Sequence, residues 1–267
     1  IDLLTTSNNK DDKHIINWTI SGKTKIYNLK TTNIYKFSFS LFKWLNDNLK
    51  NYDCIHIHGL YRFPCDAALI ICALKKYPAI FSPHGALDPY LYRKSDHKFL
   101  GLICKKLLHL ILSYPLSVIP FLFMSKDEGK ICAIKKRSKL NYVIPIGIEY
   151  PPSNLNKKSY LRKKLKIDKD NFLIGYIGRI HQKKNIDSLI KAFLSINKEI
   201  KQPSSLVIIG PGNSKYKRYI NELVYSVSGN NIFLLDQIPH KKVIKCMSEL
   251  DLYSLPSYTE NFGIAII

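Results

Sequence analysis

An α/β fold of two Rossmann-like, doubly wound parallel-sheet domains facing a cleft is what this 267-residue sequence predicts. Three observations carry the prediction. Between positions 172 and 255, short apolar runs alternate with amphipathic stretches of helical period, joined by short loops, which is the order of a parallel sheet covered on both faces. Residues 1–150 repeat that order less regularly. Glycines paired with charged or titratable residues stand just after several of the apolar runs, where such sheets bind ligands.

In the first half, strands are expected at Ile1–Leu4, Cys54–Ile57, Ala79–Phe81, Val118–Phe123 and Tyr142–Ile144, with helical stretches near 36–50, 64–76, 90–113 and 125–136. Leu107–Met124 carries no charge over 18 residues, the lower limit for a membrane-spanning helix. Pro115 and Pro120 interrupt it, and a proline inside a helix loses a hydrogen bond and clashes. The stretch therefore reads as a helix ending near Ser113, a turn at Tyr114-Pro115, and the strand Val118–Phe123. Pro151-Pro152-Ser153-Asn154 and the basic run Lys157–Lys166 separate a domain at 1–150 from one at 151–267.

The second half is more regular. Phe172–Ile177, a buried-strand pattern, ends at Gly178. Ile186, Leu189, Ile190, Phe193 and Leu194 then fall on one helical face. Ser205–Ile209 is closed by Gly210-Pro211-Gly212, and a polar helix near Lys215–Val227 leads to strand Ile232–Leu235. Pro239 opens a helix with Val243, Ile244, Met247 and Leu250 as its apolar face, and Leu252–Leu255 is the last strand.

Composition narrows the class. With 46% hydrophobic and 23% charged residues the chain is of ordinary soluble globular type, not fibrous or disordered. Six cysteines, at 54, 65, 72, 104, 132 and 246, form no C-x-x-C pair and have no paired histidines beside them. That argues against a zinc site and a disulfide framework, and fits a reducing compartment. No basic segment followed by an apolar one opens the chain as a signal peptide would. The net charge of +21 is spread evenly: 22 Lys/Arg against 11 Asp/Glu in residues 1–150, and 19 against 9 in the rest. Nucleic-acid binding would cluster those charges among exposed aromatics, so no nucleic-acid partner is expected. A general attraction to anionic surfaces or phosphorylated substrates is the reading that remains.

The segment Gly178-Arg179-Ile180-His181-Gln182-Lys183-Lys184-Asn185 ends a strand and leads into a helix. Arg179 follows the strand at once and Lys184 lies near the helix N-terminus, so two cations, free amides and a helix dipole would suit a diphosphate. Lys183 is expected to point to solvent. The plain alternative is a solvated lysine-rich loop. Glu260 follows a strand and precedes Asn261-Phe262-Gly263, where a helix is expected to start. Its carboxylate suits sugar hydroxyls, or simply complements the helix dipole. His84, at a strand end before Gly85, points into the cleft or is a satisfied structural histidine. His56 and His58 read as packing residues, His58 at the rim. Gly210 and Gly212 make a tight turn suited to lining a nucleotide pocket. No D-x-D pair stands at a strand end, so no metal and no cofactor are expected.

In order along the chain these segments resemble the family-four group of retaining glycosyltransferases of GT-B fold. Asp53-Cys54-Ile55-His56-Ile57-His58-Gly59 is similar to that family's D-x-x-H-x-H-G, and Ser82–Pro89 to its H-G-x-L segment. Ser125–Glu128 is similar to S-x-x-E, and Val143–Ile148 to V-I-P-N-G-I/V, with Ile146 where Asn is usual. Gly178–Asp187 resembles G-R-L-x-x-x-K-G-x-D, with Asn185 for the usual Gly. Pro256–Ile267 resembles the E-x7-E region. The resemblance implies that Arg179 and Lys184 bind the donor diphosphate and stabilise the departing nucleotide. It implies that Glu260 holds hydroxyls of the transferred sugar, that amides of Asn261, Phe262 and Gly263 meet its phosphates or ring, and that His84 contacts donor from the other domain. Gly178, Gly210 and Gly212 complete the donor site. The implied activity is transfer of a hexosyl unit, with retention, from a nucleoside diphosphate-sugar to a glycan or lipid-linked acceptor in surface polysaccharide or lipopolysaccharide synthesis.

The implied place is cytoplasmic, peripheral on the anionic inner membrane face. The family's second Glu would follow Ile267, so a fragment truncated at both ends, with an incomplete C-terminal domain and inactive by itself, is expected. The alternatives are a GT-B nucleotide-sugar epimerase, and a non-catalytic nucleotide-sugar-binding or membrane-surface module.

Overall fold

The computed structural model describes residues 1–7, 25–32, 35–92, 99–132, 139–148, 160–197, 199, 201–212, 215–227, 229 and 231–266. The linker expected at 151–154 lies outside them, as do parts of the helical stretches expected at 90–113 and 125–136. The chain divides into two compact units, Ile1–Ile146 and Gly147–Ile267. All strand pairings are parallel, as expected.

In the first unit, β1 (Leu3–Ser7) pairs with β2 (Ile26–Lys30). A four-stranded sheet follows in the order β3 (Ile55–His58), β4 (Ala79–Ser82), β5 (Phe121–Phe123), β6 (Asn141–Val143). The helices are α1 (Phe39–Asn48), α2 (Phe63–Leu74), α3 (Phe99–Ile111), α4 (Ser113–Val118) and α5 (Lys126–Ile131). Ser38 caps α1 by accepting the Leu41 amide at 3.2 Å, and α2 takes a proline in its first turn, where no amide partner is needed. The core joins Leu41 and Leu45 of α1, Leu69 of α2, Leu116 of α4 and Phe81, Phe121 and Phe123 of the sheet.

Two expectations fail here. Strand β2 has no counterpart among the expected strands; it is a short run in which only some residues are partly buried. The strand expected from Val118 begins at Phe121, because Ser113–Val118 is helical. Pro115 does not break that helix: it lies in the first turn, whose amides have no intrahelical partner.

The second unit has a sheet of order β10-β7-β8-β9: β7 (Phe172–Ile177), β8 (Ser204–Ile209), β9 (Ile232–Leu235) and β10 (Leu252–Tyr253). Four helices are described, α6 (Tyr160–Leu165), α7 (Ile186–Asn197), α8 (Lys215–Ser226) and α9 (His240–Met247). Side chains of a strand alternate between faces, and β8 shows this directly. Leu206 and Ile208 join Ile186, Ile190 and Phe193 of α7 in one core layer, while Val207 and Ile209 join Leu161 and Cys246 in the other. Both faces of β8 are thus covered, which is why Leu206–Ile209 reads as an unbroken apolar run. Each fully buried Leu or Ile contributes about 1.5–3 kcal/mol. On α9, Val243 and Met247 pack inward as expected, but Ile244 is exposed. Leu250 follows the helix and lies over Gly175, where an added Cβ would come within 2.4 Å of it.

Glu249, just after α9, caps α6 from outside. Its carboxylate accepts the amides of Tyr160 at 2.7 Å, Leu161 at 2.9 Å and Arg162 at 3.0 Å, three first-turn donors without helical partners. Glu249→Ala is expected to destabilise the second unit by about 1–3 kcal/mol, the usual cost of leaving such donors unmet. Urea titration of the variant against wild type measures it; an unchanged midpoint would mean that water replaces the carboxylate at no cost.

Candidate functional site

The second sheet changes direction at β7. From β7 the chain adds β8 and then β9 on one side, and returns to place β10 on the other. β7 and β10 are parallel neighbours, so the loops that leave their carboxyl ends start side by side. The carboxyl ends of the strands, at the point where the strand order reverses, are where doubly wound sheets take ligands. The loop after β7 carries Arg179 and Lys184; the loop after β10 carries Glu260, Asn261, Phe262 and Gly263.

The two loops touch. Lys184 Nζ forms an ion pair with Glu260 Oε1, both side chains largely withdrawn from water. Beside it the Tyr258 amide donates to the Lys183 carbonyl at 3.0 Å. Lys183 is half-buried, not solvent-facing as expected. Arg179 is exposed at the end of β7, and the Tyr176 hydroxyl donates to its carbonyl at 2.9 Å. A single 3-10 turn spans Gln182–Lys184, and Asn185 takes a left-handed conformation (φ 53°) before α7. Glycine is the usual residue for that conformation and asparagine the next most tolerant, which accounts for Asn at this position.

Main-chain bonds continue the ladder beyond the strands. Gly178 donates to Ile209 at 2.9 Å, Ile180 to Pro211 at 2.9 Å and Gly210 to Leu235 at 3.1 Å. The loops after β7 and β8 thus run side by side, and a Cβ on Gly210 would lie 1.7 Å from the Gly178 carbonyl oxygen. Gly212 packs on the Ile180 carbonyl and borders a cavity of about 510 Å³ with Lys217, Arg218, Asn221 and Asp236. Lys217 and Asp236 are paired across it at 2.5 Å. A 3-10 turn, Ile264–Ile266, follows Phe262-Gly263, where a helix is expected to start. Gly263 has φ 70°, a left-handed conformation that a right-handed helix cannot include, so the turn starts after it.

His84 belongs to the first unit and has its own constellation there. It follows β4 with φ 50°, and Gly85 after it has φ 71°. The loop is held by Glu128, buried at the start of α5, which accepts the Gly85 amide at 2.6 Å and the Met124 amide at 2.8 Å. His84 Nε2 lies 2.7 Å from His58 Nδ1 with the rings stacked, so one nitrogen donates to the other. His56 Nε2 lies 2.9 Å from Ser82 Oγ. Sequence reasoning missed both partners of the His84 loop. The signal for Glu128 is the Ser125-x-x-Glu128 spacing of a capping box. Ser125 does accept the Glu128 amide at 3.0 Å, but the carboxylate reaches Met124 and Gly85 instead of the cap residue. His58, expected at a rim, is a hydrogen-bond partner.

Withdrawal from water, and then the neighbouring His56 and His84 rings, lower the His58 pKa from 6.5 to about 4. Withdrawal from water also lowers His84, against an opposing effect of Glu128. Between about 4 and 6.5 the unfolded chain therefore binds a proton that folded His58 does not. Stability rises with pH through that window and falls as pH drops towards its lower end. His58→Gln is expected to reduce this dependence, measured by urea titration of both proteins at about pH 7 and about pH 5. Equal losses in both would show that His58 is not the group responsible. Among the described residues, no cluster of three or more His, Cys, Asp or Glu is arranged to hold a metal ion.

Comparison with known proteins bears on both units. Residues 157–267 match the model of the family described as Glycosyl transferases group 1. Over 245 residues the chain is 26% identical to the O-antigen biosynthesis glycosyltransferase WclY of Escherichia coli, covering 90% of this chain and 63% of that protein. Over 221 residues it is 25% identical to the putative teichuronic acid biosynthesis glycosyltransferase TuaC of Bacillus subtilis, covering 80% and 50%. The chain thus spans between half and two thirds of these relatives' length. In fold it is similar to sucrose-phosphate synthase from Thermosynechococcus elongatus, with a TM-score of 0.69 at 17% identity, covering 99% of this chain and 67% of that one. It is also similar to Anabaena HepE in complex with UDP and glucose, with a TM-score of 0.66 at 16% identity, covering 99% and 77%. The α/β fold of parallel sheets is that of GT-B proteins.

Proposed function

We infer that this chain, whose residues 157–267 belong to the glycosyl transferases group 1 family, comes from an enzyme that moves a hexosyl unit from a nucleoside diphosphate-sugar to a glycan or lipid-linked acceptor, with retention, in surface polysaccharide synthesis. The observation that carries this reading is the Lys184–Glu260 pair at the point where the second sheet reverses its strand order. A cation for the diphosphate and a carboxylate for sugar hydroxyls stand side by side there, with Arg179 at the end of the same central strand. Arginine offers a planar fork to two phosphate oxygens and lysine a mobile point charge. Both stabilise negative charge that develops as the nucleotide leaves. The names of the relatives, which act in O-antigen and teichuronic acid synthesis, support the acceptor class.

Transfer is proposed to need no divalent metal, because the two cations supply the positive charge that a metal would bring. The enzyme is further proposed to work in the cytoplasm, held peripherally at the inner membrane face. Among the described residues, no helix is long and apolar enough to cross a membrane.

The test uses the full-length protein with a set of UDP-, GDP- and other nucleoside diphosphate-hexoses. UDP-glucose heads the set because a structure similar in fold holds it. At least one donor is expected to raise the melting temperature and to label a lipid-linked acceptor in membranes, with turnover unchanged by EDTA. Binding without turnover would favour a non-catalytic module, and isomerisation of the donor an epimerase. Loss of turnover in EDTA, restored by Mn²⁺, would overturn the metal-free mechanism alone.

A further inference from the structure

Helices α3 and α4 behave nearly as one rod. Leu112, between them, donates its amide to Leu108 at 2.9 Å and accepts that of Leu116 at 3.0 Å. Leu112 and Leu116 point inward and are fully buried in the core of the first unit. The outward side is also apolar, and no packing among the described residues explains it. Ile103, Leu107, Leu110, Ile111, Tyr114 and Val118 are all exposed, Leu110 to 71% and Ile111 to 60%. Their spacings of three and four residues put them on one stripe, about 100° wide at 3.6 residues per turn. Isolated exposed leucines need no account, whereas a contiguous stripe of six does.

Charge and hydrogen bonding indicate what covers it. No Asp or Glu occurs between Asp96 and Asp127; of the two lysines on α3, Lys105 lies over the Tyr61 ring, away from the stripe. Lys106 is exposed at one border of the stripe. The hydroxyls on the same border do not depend on water as donors: Ser113 donates to the Leu110 carbonyl and Ser117 to the Tyr114 carbonyl, each at 2.7 Å. They can leave water without losing a donor bond, which lowers the cost of entering a lipid interface. Tyr114 presents the kind of ring that settles at headgroup level. We propose that the α3–α4 face lies flat on an anionic lipid bilayer, its apolar stripe at the acyl boundary and Lys106 among the phosphates. This deepens the peripheral placement proposed above by naming the surface that makes contact, and it does not depend on any donor or transfer step.

The test is co-sedimentation of the full-length protein with vesicles of phosphatidylglycerol and phosphatidylethanolamine, and with vesicles of phosphatidylcholine alone. The wild type is expected to pellet with the first and much less with the second. Leu110→Gln is expected to weaken that binding about tenfold, since each buried leucine is worth about that factor or more. Lys106→Glu is expected to weaken binding to the anionic vesicles only. Because a polar variant can fail for other reasons, Leu110→Trp is the second arm: it should bind as wild type does, with fluorescence quenched by brominated lipid. Failure of the wild type to bind either vesicle, or binding without quenching of the new tryptophan, overturns the proposal. So does an unchanged vesicle affinity in Leu110→Gln accompanied by a shift from dimer to monomer, which would make the stripe a contact between copies. A failed donor screen with normal vesicle binding would sink the transferase reading and leave this surface standing.

Discussion

Lys184→Ala in the full-length protein is expected to lower turnover at saturating donor by about a hundredfold, the typical loss on removing one electrostatic donor from a charge-developing site. Arg179→Ala should have a comparable effect, and Lys183→Ala should stay within about a few-fold of wild type. The distinction is positional. Lys184 reaches across to Glu260 on the neighbouring loop, so its ammonium lies where the two halves of the proposed ligand site meet. Lys183 holds that neighbouring loop through its carbonyl, which accepts the Tyr258 amide and which no side-chain substitution removes. A cation whose contact strengthens as the diphosphate departs acts on the chemical step, so turnover should fall more than donor affinity. Melting temperatures of the three variants guard against a folding effect, since Lys184→Ala also leaves Glu260 without its cation. Equal, near-wild-type rates in all three would reduce the segment to a lysine-rich loop.

The largest expected effect on stability is that of Gly210→Ala. The added methyl would sit 1.7 Å from the Gly178 carbonyl oxygen, a main-chain atom with no rotamer to give way. Only separation of the two loops relieves the clash, and that breaks the Gly178–Ile209 and Ile180–Pro211 bonds. Overpacking usually costs about 1–3 kcal/mol where side chains can shift; with backbone on both sides the loss should reach at least about 3 kcal/mol. Gly147→Ala is the control, because a Cβ there meets nothing within 4 Å and its backbone is not left-handed. It should change stability by less than about 0.5 kcal/mol. Urea titrations compare the two, and a Gly210→Ala variant as stable as wild type would mean that the loops can part freely.

Much of the second unit is legible in the amino-acid sequence. Strands covered on both faces are mostly apolar, and β7 and β8 are each followed by a glycine where the chain turns, so their ends show along the chain. The first unit is harder to read for identifiable reasons. Strand β2 is short and only partly buried, too weak a pattern to register. Pro115 reads as a breaker because its offset from the helix start does not show in the sequence; in the first turn of α4 its missing amide forgoes no bond within that helix. At the site, residue types at strand ends point to Arg179, Lys184 and Glu260. That Lys184 and Glu260 meet depends on β10 lying next to β7, a matter of strand order that spacing along the chain does not encode. The same holds for Glu128 and His58. Each acts on the His84 loop from an element distant in sequence, and only tertiary contact reveals the partner.

The continuation of the ladder past the ends of β7 and β8 has a consequence for how this region tolerates change. The path of the 178–180 segment is held by amide-to-carbonyl bonds that every non-proline residue can make, and by the bareness of Gly210. Nothing in that scaffold depends on the guanidinium at 179. Its identity can therefore vary without redrawing the loop, so that ligand preference at this position and thermal tolerance are separate traits. Substituting Arg179 and Glu249 together should then give a stability change equal to the sum of the two alone, since the sites share no partner.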